Sequence, residues 1–171
     1  MADILGPVVS LTSTIDYGLE LATALHTYAE GLPDTKENIC DIAVDVNTTA
    51  TVLGQLRSLM NADHCSATQP NNIKIFKDDG LKEIETLARQ CGRIYMTIVI
   101  LITKAGKLVS KGKSTASLSD MPVLRASDLL RTLRWQWLEP RIKRSQELLK
   151  WLKMKVLLNL QLASLAKVQL G

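Results

Sequence analysis

Little in this chain of 171 residues suits it to chemistry. It has two histidines and three cysteines. Cys40, Cys65 and Cys91 are odd in number and far apart. That excludes a disulfide framework and points to a reducing compartment. His64-Cys65 is a lone His/Cys neighbour pair; zinc sites usually need four ligands at paired short spacings, and His26, Cys40 and Cys91 supply none. Glu83 and Glu85 are two apart and fall on different sides of a helix, whereas Asp41 and Asp45 share a side and read as a solvated stripe. Lys111-Gly112-Lys113-Ser114 lacks the earlier glycine of a phosphate loop, and no strand precedes it. No catalytic residue, metal ligand or cofactor is expected, so the chain reads as non-enzymatic.

Aromatic residues are scarce too: three Trp, three Tyr and one Phe. The apolar 46% is mostly Leu, Ile, Val and Ala, which favours packed helices over a sandwich or barrel. Long hydrophobic runs are missing. The best, Ile94 to Thr103, has ten residues between Arg93 and Lys104, against about 20 for a bilayer span. It reads as the most buried stretch of a core helix. Met1-Ala2-Asp3 opens no basic leader, so a cytoplasmic location is expected.

The sequence does carry helical periodicity and a charge split. Residues 4–30 predict a first helix with Leu11, Ile15, Leu19, Ala22 and Leu25 inward and Gly18 in its middle. Asp34-Thr35-Lys36-Glu37 has capping-box spacing and opens a second helix over 35–61, with Ile39, Ile42, Val46, Val52, Leu53, Leu56 and Leu59 inward. A third, 78–104, buries Leu81, Ile84, Leu87, Ala88, Cys91, Ile94, Tyr95 and Ile98. Ser127-Asp128 starts a helix to Leu138, and Pro140 breaks or kinks the path into a long final helix. On that helix Ile142, Leu149, Val156, Ala163 and Leu170 recur every seventh residue, with Leu152 and Ala166 on the same face. Mobile loops are expected near 62–77 and 105–124. The sum is one domain over 1–171: an all-α helical bundle of four to five long helices with a long C-terminal amphipathic helix.

Residues 1–80 carry eleven acidic and four basic side chains, residues 81–171 six and seventeen, so the halves are −7 and +11. Arg131, Arg134, Arg141, Lys143, Arg144, Lys150, Lys153 and Lys155 share one span with Trp135, Trp137 and Trp151. Cations interleaved with Trp and Leu suit an interfacial helix, and equally the wet outer face of a bundle. No nucleic-acid-binding motif accompanies the charge, so nucleic acid is not an expected partner.

Three stretches carry a family resemblance: MADILGPVVSLTSTIDYGLELATALHTYAEG at the start, FKDDGLKEIETLARQCGRI in the middle and RWQWLEPRIKRSQELLKWLKMKVLLNLQLASLA at the end. Together they resemble the HeLo-like N-terminal domain of fungal STAND-associated proteins of programmed cell death and heterokaryon incompatibility. The resemblance implies a non-enzymatic bundle that self-associates and acts on membranes through its N-terminal helix. The bundles of animal necroptosis executors and plant immune helper domains are similar. Carried onto this chain, the membrane-inserting segment is Ile4, Leu5, Val8, Val9, Leu11 and Ile15. Arg141, Lys143, Arg144, Lys150, Lys153 and Lys155 are the candidate sites for anionic lipid or a partner. The partners implied are a second copy, anionic membrane lipid (with recruitment to the plasma membrane) and a STAND or other effector protein. The alternative is a regulatory adaptor bundle with no membrane activity. The first helix is more polar than a good inserting helix, through Thr12, Ser13, Thr14, Asp16 and Glu20.

Overall fold

The computed structural model describes residues 5–31, 36–66, 75–107 and 128–170; within these, side chains are described for 10–31, 36–65, 75–103 and 138–169. Four helices account for nearly all of it: α1 (Leu5–Glu30), α2 (Lys36–Ser66), α3 (Asp78–Lys107) and α4 (Asp128–Leu170). The fold is an all-α bundle. Its helices form a ring in which α1 packs on α2 and α3, and α4 packs on the other sides of the same two. Thus α1 and α4 stand at opposite corners.

Neighbouring contacts fix the directions. Arg57 Nη1 donates to Thr12 Oγ1 at 3.2 Å, and Gly18 faces Ala50, so α2 runs back along α1. Thr14 faces Gly92 and Gly18 faces Tyr95, so α3 runs parallel to α1. The core lies inside the ring: Leu11, Leu21 and Leu25 from α1, Ile39, Leu53 and Leu56 from α2, Ile84, Tyr95 and Ile98 from α3, and Leu149 and Val156 from α4. These positions recur at three and four residues, which is why each helix presents one continuous apolar face.

Several expectations need correction. Leu19 is exposed, and Leu21 takes its place, because the buried row of α1 runs Leu11, Thr14, Ile15, Gly18, Leu21, Ala22, Leu25 and Ala29. Val52, Leu59 and Ile94 are half-buried at the rim. Residues 62–66 are helical, not loop. There Asp63 turns its carboxylate onto the backbone after the connection, accepting from Ile75 N at 3.0 Å and Phe76 N at 3.1 Å. α3 likewise continues through 105–107. Pro140 divides nothing: α4 runs unbroken through it for 43 residues. The ring is exposed to water, which can satisfy the carbonyl that the missing N–H leaves unpaired. The capping residues Asp34 and Thr35, Ser127, residues 67–74 and 108–124 of the two expected loops, the 111–114 segment among them, and Ile4 lie outside the described residues.

The Tyr95 ring is fully buried, yet its hydroxyl meets no hydrogen-bond partner among the described residues. Burial pushes the phenol well above its ordinary range, with the neighbouring Cys91 adding to the rise. The thiol of Cys91 is itself pushed up by burial to about 12, so it is held as an inert core group. Tyr95→Phe removes a desolvated hydroxyl and leaves the ring in place. It is expected to raise the unfolding free energy by about 1 kcal/mol. Urea titration checks this, and a loss of stability would show that the hydroxyl is satisfied.

Candidate functional site

The unusual element is α4, because it is apolar on two sides. One side, Ile142, Leu149, Leu152, Val156 and Ala163, is buried against α2 and α3. The other, Leu148, Trp151, Met154, Leu158, Leu162, Leu165 and Val168, faces solvent, with exposures from 50% at Leu148 to 79% at Val168. At 100° per residue the second row sits roughly opposite the first, and its 20-residue reach spans about 30 Å. Scattered exposed leucines are ordinary on a protein surface, but a contiguous row of this length is not.

Basic side chains flank the first half of this row, and the structure divides them. Lys153 is committed inward. Its Nζ lies 3.1 Å from Asp45 Oδ1 and 3.4 Å from Thr48 Oγ1. Lys150 reaches the other Asp45 oxygen at 3.5 Å, and Gln146 Nε2 donates to that oxygen at 2.7 Å. Asp45 is therefore the buried anchor of α4 on α2, not part of a solvated stripe with the exposed Asp41. Lys143 pairs with Glu139 at 2.7 Å along the same helix. Lys155 lies over the Trp151 ring, 4.0 Å from its centre, a cation–π contact that orients both side chains. Arg141 and Arg144 are exposed. The six basic candidates thus lie on one element, and among the described residues Lys143, Lys150 and Lys153 hold carboxylates of this chain.

Beside the row, Gln90, Arg93, Ile94, Leu148, Trp151 and Leu152 line a shallow groove of about 330 Å³ between α3 and α4. Its walls are apolar apart from Gln90 and Arg93, so it suits a side chain or an acyl segment better than a polar metabolite. No group of three His, Cys, Asp or Glu side chains comes together among the described residues. His64 and Cys65 are exposed in the last turn of α2. The candidates for membrane insertion fare differently. Leu11 and Ile15 are core residues, and the side chains of Leu5, Val8 and Val9 lie outside the described set. Among the described residues, no helix is long and apolar enough to cross a membrane.

The buried row of α4 follows from its seven-residue repeat. The outer row shows in the same stretch as a second register at threes and fours, visible once the first row is assigned to the core. Asp45 could have been found in the same way, since it falls in the inward register of Ile42, Val46 and Thr49. No family model, no curated protein and no solved structure matches this chain.

Proposed function

We propose that this chain is a non-enzymatic signalling domain of the HeLo-like, fungal cell-death type that works by self-association and membrane contact. The observation that carries the reading is α4, built into the bundle by one apolar face and bare on the other, with cations beside the bare one. Such a face is a contact surface, and nothing in its chemistry suits bond-breaking.

Membrane action through α1 then has a physical requirement. Leu11, Ile15, Leu21 and Leu25 are buried in α1, and exposing each costs about 1.5–3 kcal/mol. Their sum is comparable to the whole stability of a small domain. Release of α1 is thus a change of state that a trigger or a lipid surface must drive. It is no breathing motion. Asp16 and Glu20, both exposed now, would face a polar lumen on insertion. Electrostatic attraction precedes that step, at about 1 kcal/mol per cation near an anionic surface. Arg144 and Lys155 are the cleanest probes, because neither holds Asp45. Arg144→Glu with Lys155→Glu is expected to abolish co-sedimentation with anionic vesicles while helicity stays unchanged. Binding that survives both reversals would remove the electrostatic step. The adaptor reading, with no membrane activity, draws support from the engagement of Lys143, Lys150 and Lys153 within the chain. The same assay decides between them.

A further inference from the structure

The outer row of α4 has a symmetry that neither packing within the bundle nor a lipid surface asks for. Its members, Leu148, Trp151, Met154, Leu158, Leu162, Leu165 and Val168, are spaced 3, 3, 4, 4, 3 and 3, which reads the same from either end with Leu158 at the centre. We infer that this face is a two-fold contact between copies of the chain, α4 lying antiparallel on its partner's α4 about an axis through Leu158. The inference rests on the self-association in the proposed function and gives it a surface and a register.

In that register each apolar residue meets another. Leu158 meets its own copy, Met154 meets Leu162, Trp151 meets Leu165 and Leu148 meets Val168. An isologous contact of this kind closes on itself as a dimer. Charge selects the same direction. Lys150 and Lys155 precede Leu158, and the positions they face in this register, Ala166 and Gln161, lie in the stretch 156–166 that carries no charged side chain. Antiparallel pairing sets these two lysines beside the partner's neutral stretch, whereas parallel pairing would stack Lys150 on Lys150 and Lys155 on Lys155. The area fits as well. Seven large apolar side chains, each half or more exposed, offer on the order of 700 Å² per copy, close to the about 800 Å² of a standard specific interface. The α3–α4 groove at Trp151 lies at the edge of this contact, where the partner's Leu165 would cover it.

Sedimentation velocity of the whole chain without lipid tests the contact. A wild-type dimer is expected, and Leu158→Glu, which sets two carboxylates against each other on the axis, is expected to weaken it about 100-fold. Position 158 faces solvent, so circular dichroism should show the fold intact. Met154→Lys and Leu162→Glu should each disrupt the dimer, and the double variant should restore it, because 154 and 162 meet only in this register. In a Cys65→Ser background, Leu158→Cys should cross-link on oxidation, while Leu148→Cys, about 30 Å from its own copy, should not. A wild-type monomer, a dimer indifferent to Leu158→Glu, or equal cross-linking at 148 would each overturn the inference. A monomer that pellets with phosphatidylserine vesicles and needs Leu158 would overturn it too, and would assign the face to lipid. Dimerisation is read without lipid and vesicle binding separately, so loss of one is distinguishable from loss of the other.

Discussion

Asp45→Ala is expected to lower the unfolding free energy by about 3 kcal/mol, the larger of two strong effects in this bundle. Asp45 is buried, and its side chain is only 11% exposed. It receives Lys153 on one oxygen and Gln146 on the other. Deleting the carboxylate strands an ammonium that is itself 21% exposed, together with a half-buried amide. A buried charge left without its partner costs far more than the pair contributes net, because its desolvation is no longer offset. Lys150, more than half exposed, adds little. For a chain of this length the loss corresponds to a melting temperature lower by roughly 6–12 °C. Lys153→Met in the Asp45→Ala background should recover part of that loss, since the stranded cation is gone. Thermal denaturation of the single and double variants checks both statements. An unchanged melting temperature for Asp45→Ala would mean that apolar packing alone holds α4 on α2.

Gly18→Ala is expected to cost about 2 kcal/mol, against the sign of helix propensity. In an open helix the same change gains up to about 1 kcal/mol. At position 18, however, an added Cβ would lie 2.9 Å from Tyr95 Cε2 and 3.0 Å from Ala50 Cβ. Neither neighbour can yield. Tyr95 is fully buried, and the Ala50 Cβ is fixed to the backbone of α2. The methyl therefore pushes α1 away from α2 and α3 together, and such overpacking costs about 1–3 kcal/mol. Gly54 supplies the control, since an added Cβ there meets nothing within 4 Å. Gly54→Ala should gain the propensity term that Gly18→Ala forfeits. Chemical denaturation of the two variants side by side separates packing from propensity, and equal behaviour would refute the close approach at Gly18.

How much of the fold and site is legible in the sequence follows from where each signal resides. The buried rows of α3 and α4 were readable because an apolar period near 3.6 survives intact there, from Leu81 to Ile98 and from Ile142 to Ala163. The row of α1 was readable less well. Small and hydroxyl residues sit in its buried register, with Thr14 bonding back to the Ser10 carbonyl at 2.9 Å, so Leu19 looked like the better core residue than Leu21. Pro140 misled because its cost falls on one exposed turn, which the packing of Leu138 and Ile142 on either side outweighs. For the candidate site, the basic side chains and Trp151 stood out by composition. What each cation does was not legible, since Asp45 and Lys153 are 108 positions apart in the chain and meet only through the ring order of the helices.

In the proposed function, α1 must leave the bundle before the chain can act on a membrane. Dye release from anionic vesicles by a Thr14→Cys, Gly92→Cys variant lacking the exposed Cys65 tests it most directly. The Thr14 hydroxyl lies 3.6 Å from the place a Cβ at 92 would occupy, so the two sulfurs can come within bonding reach and tie α1 to α3. The account predicts no release by the oxidised form and release on reduction, at the level of the untied chain. Equal release by the oxidised and reduced forms, or none by the wild type, would contradict it.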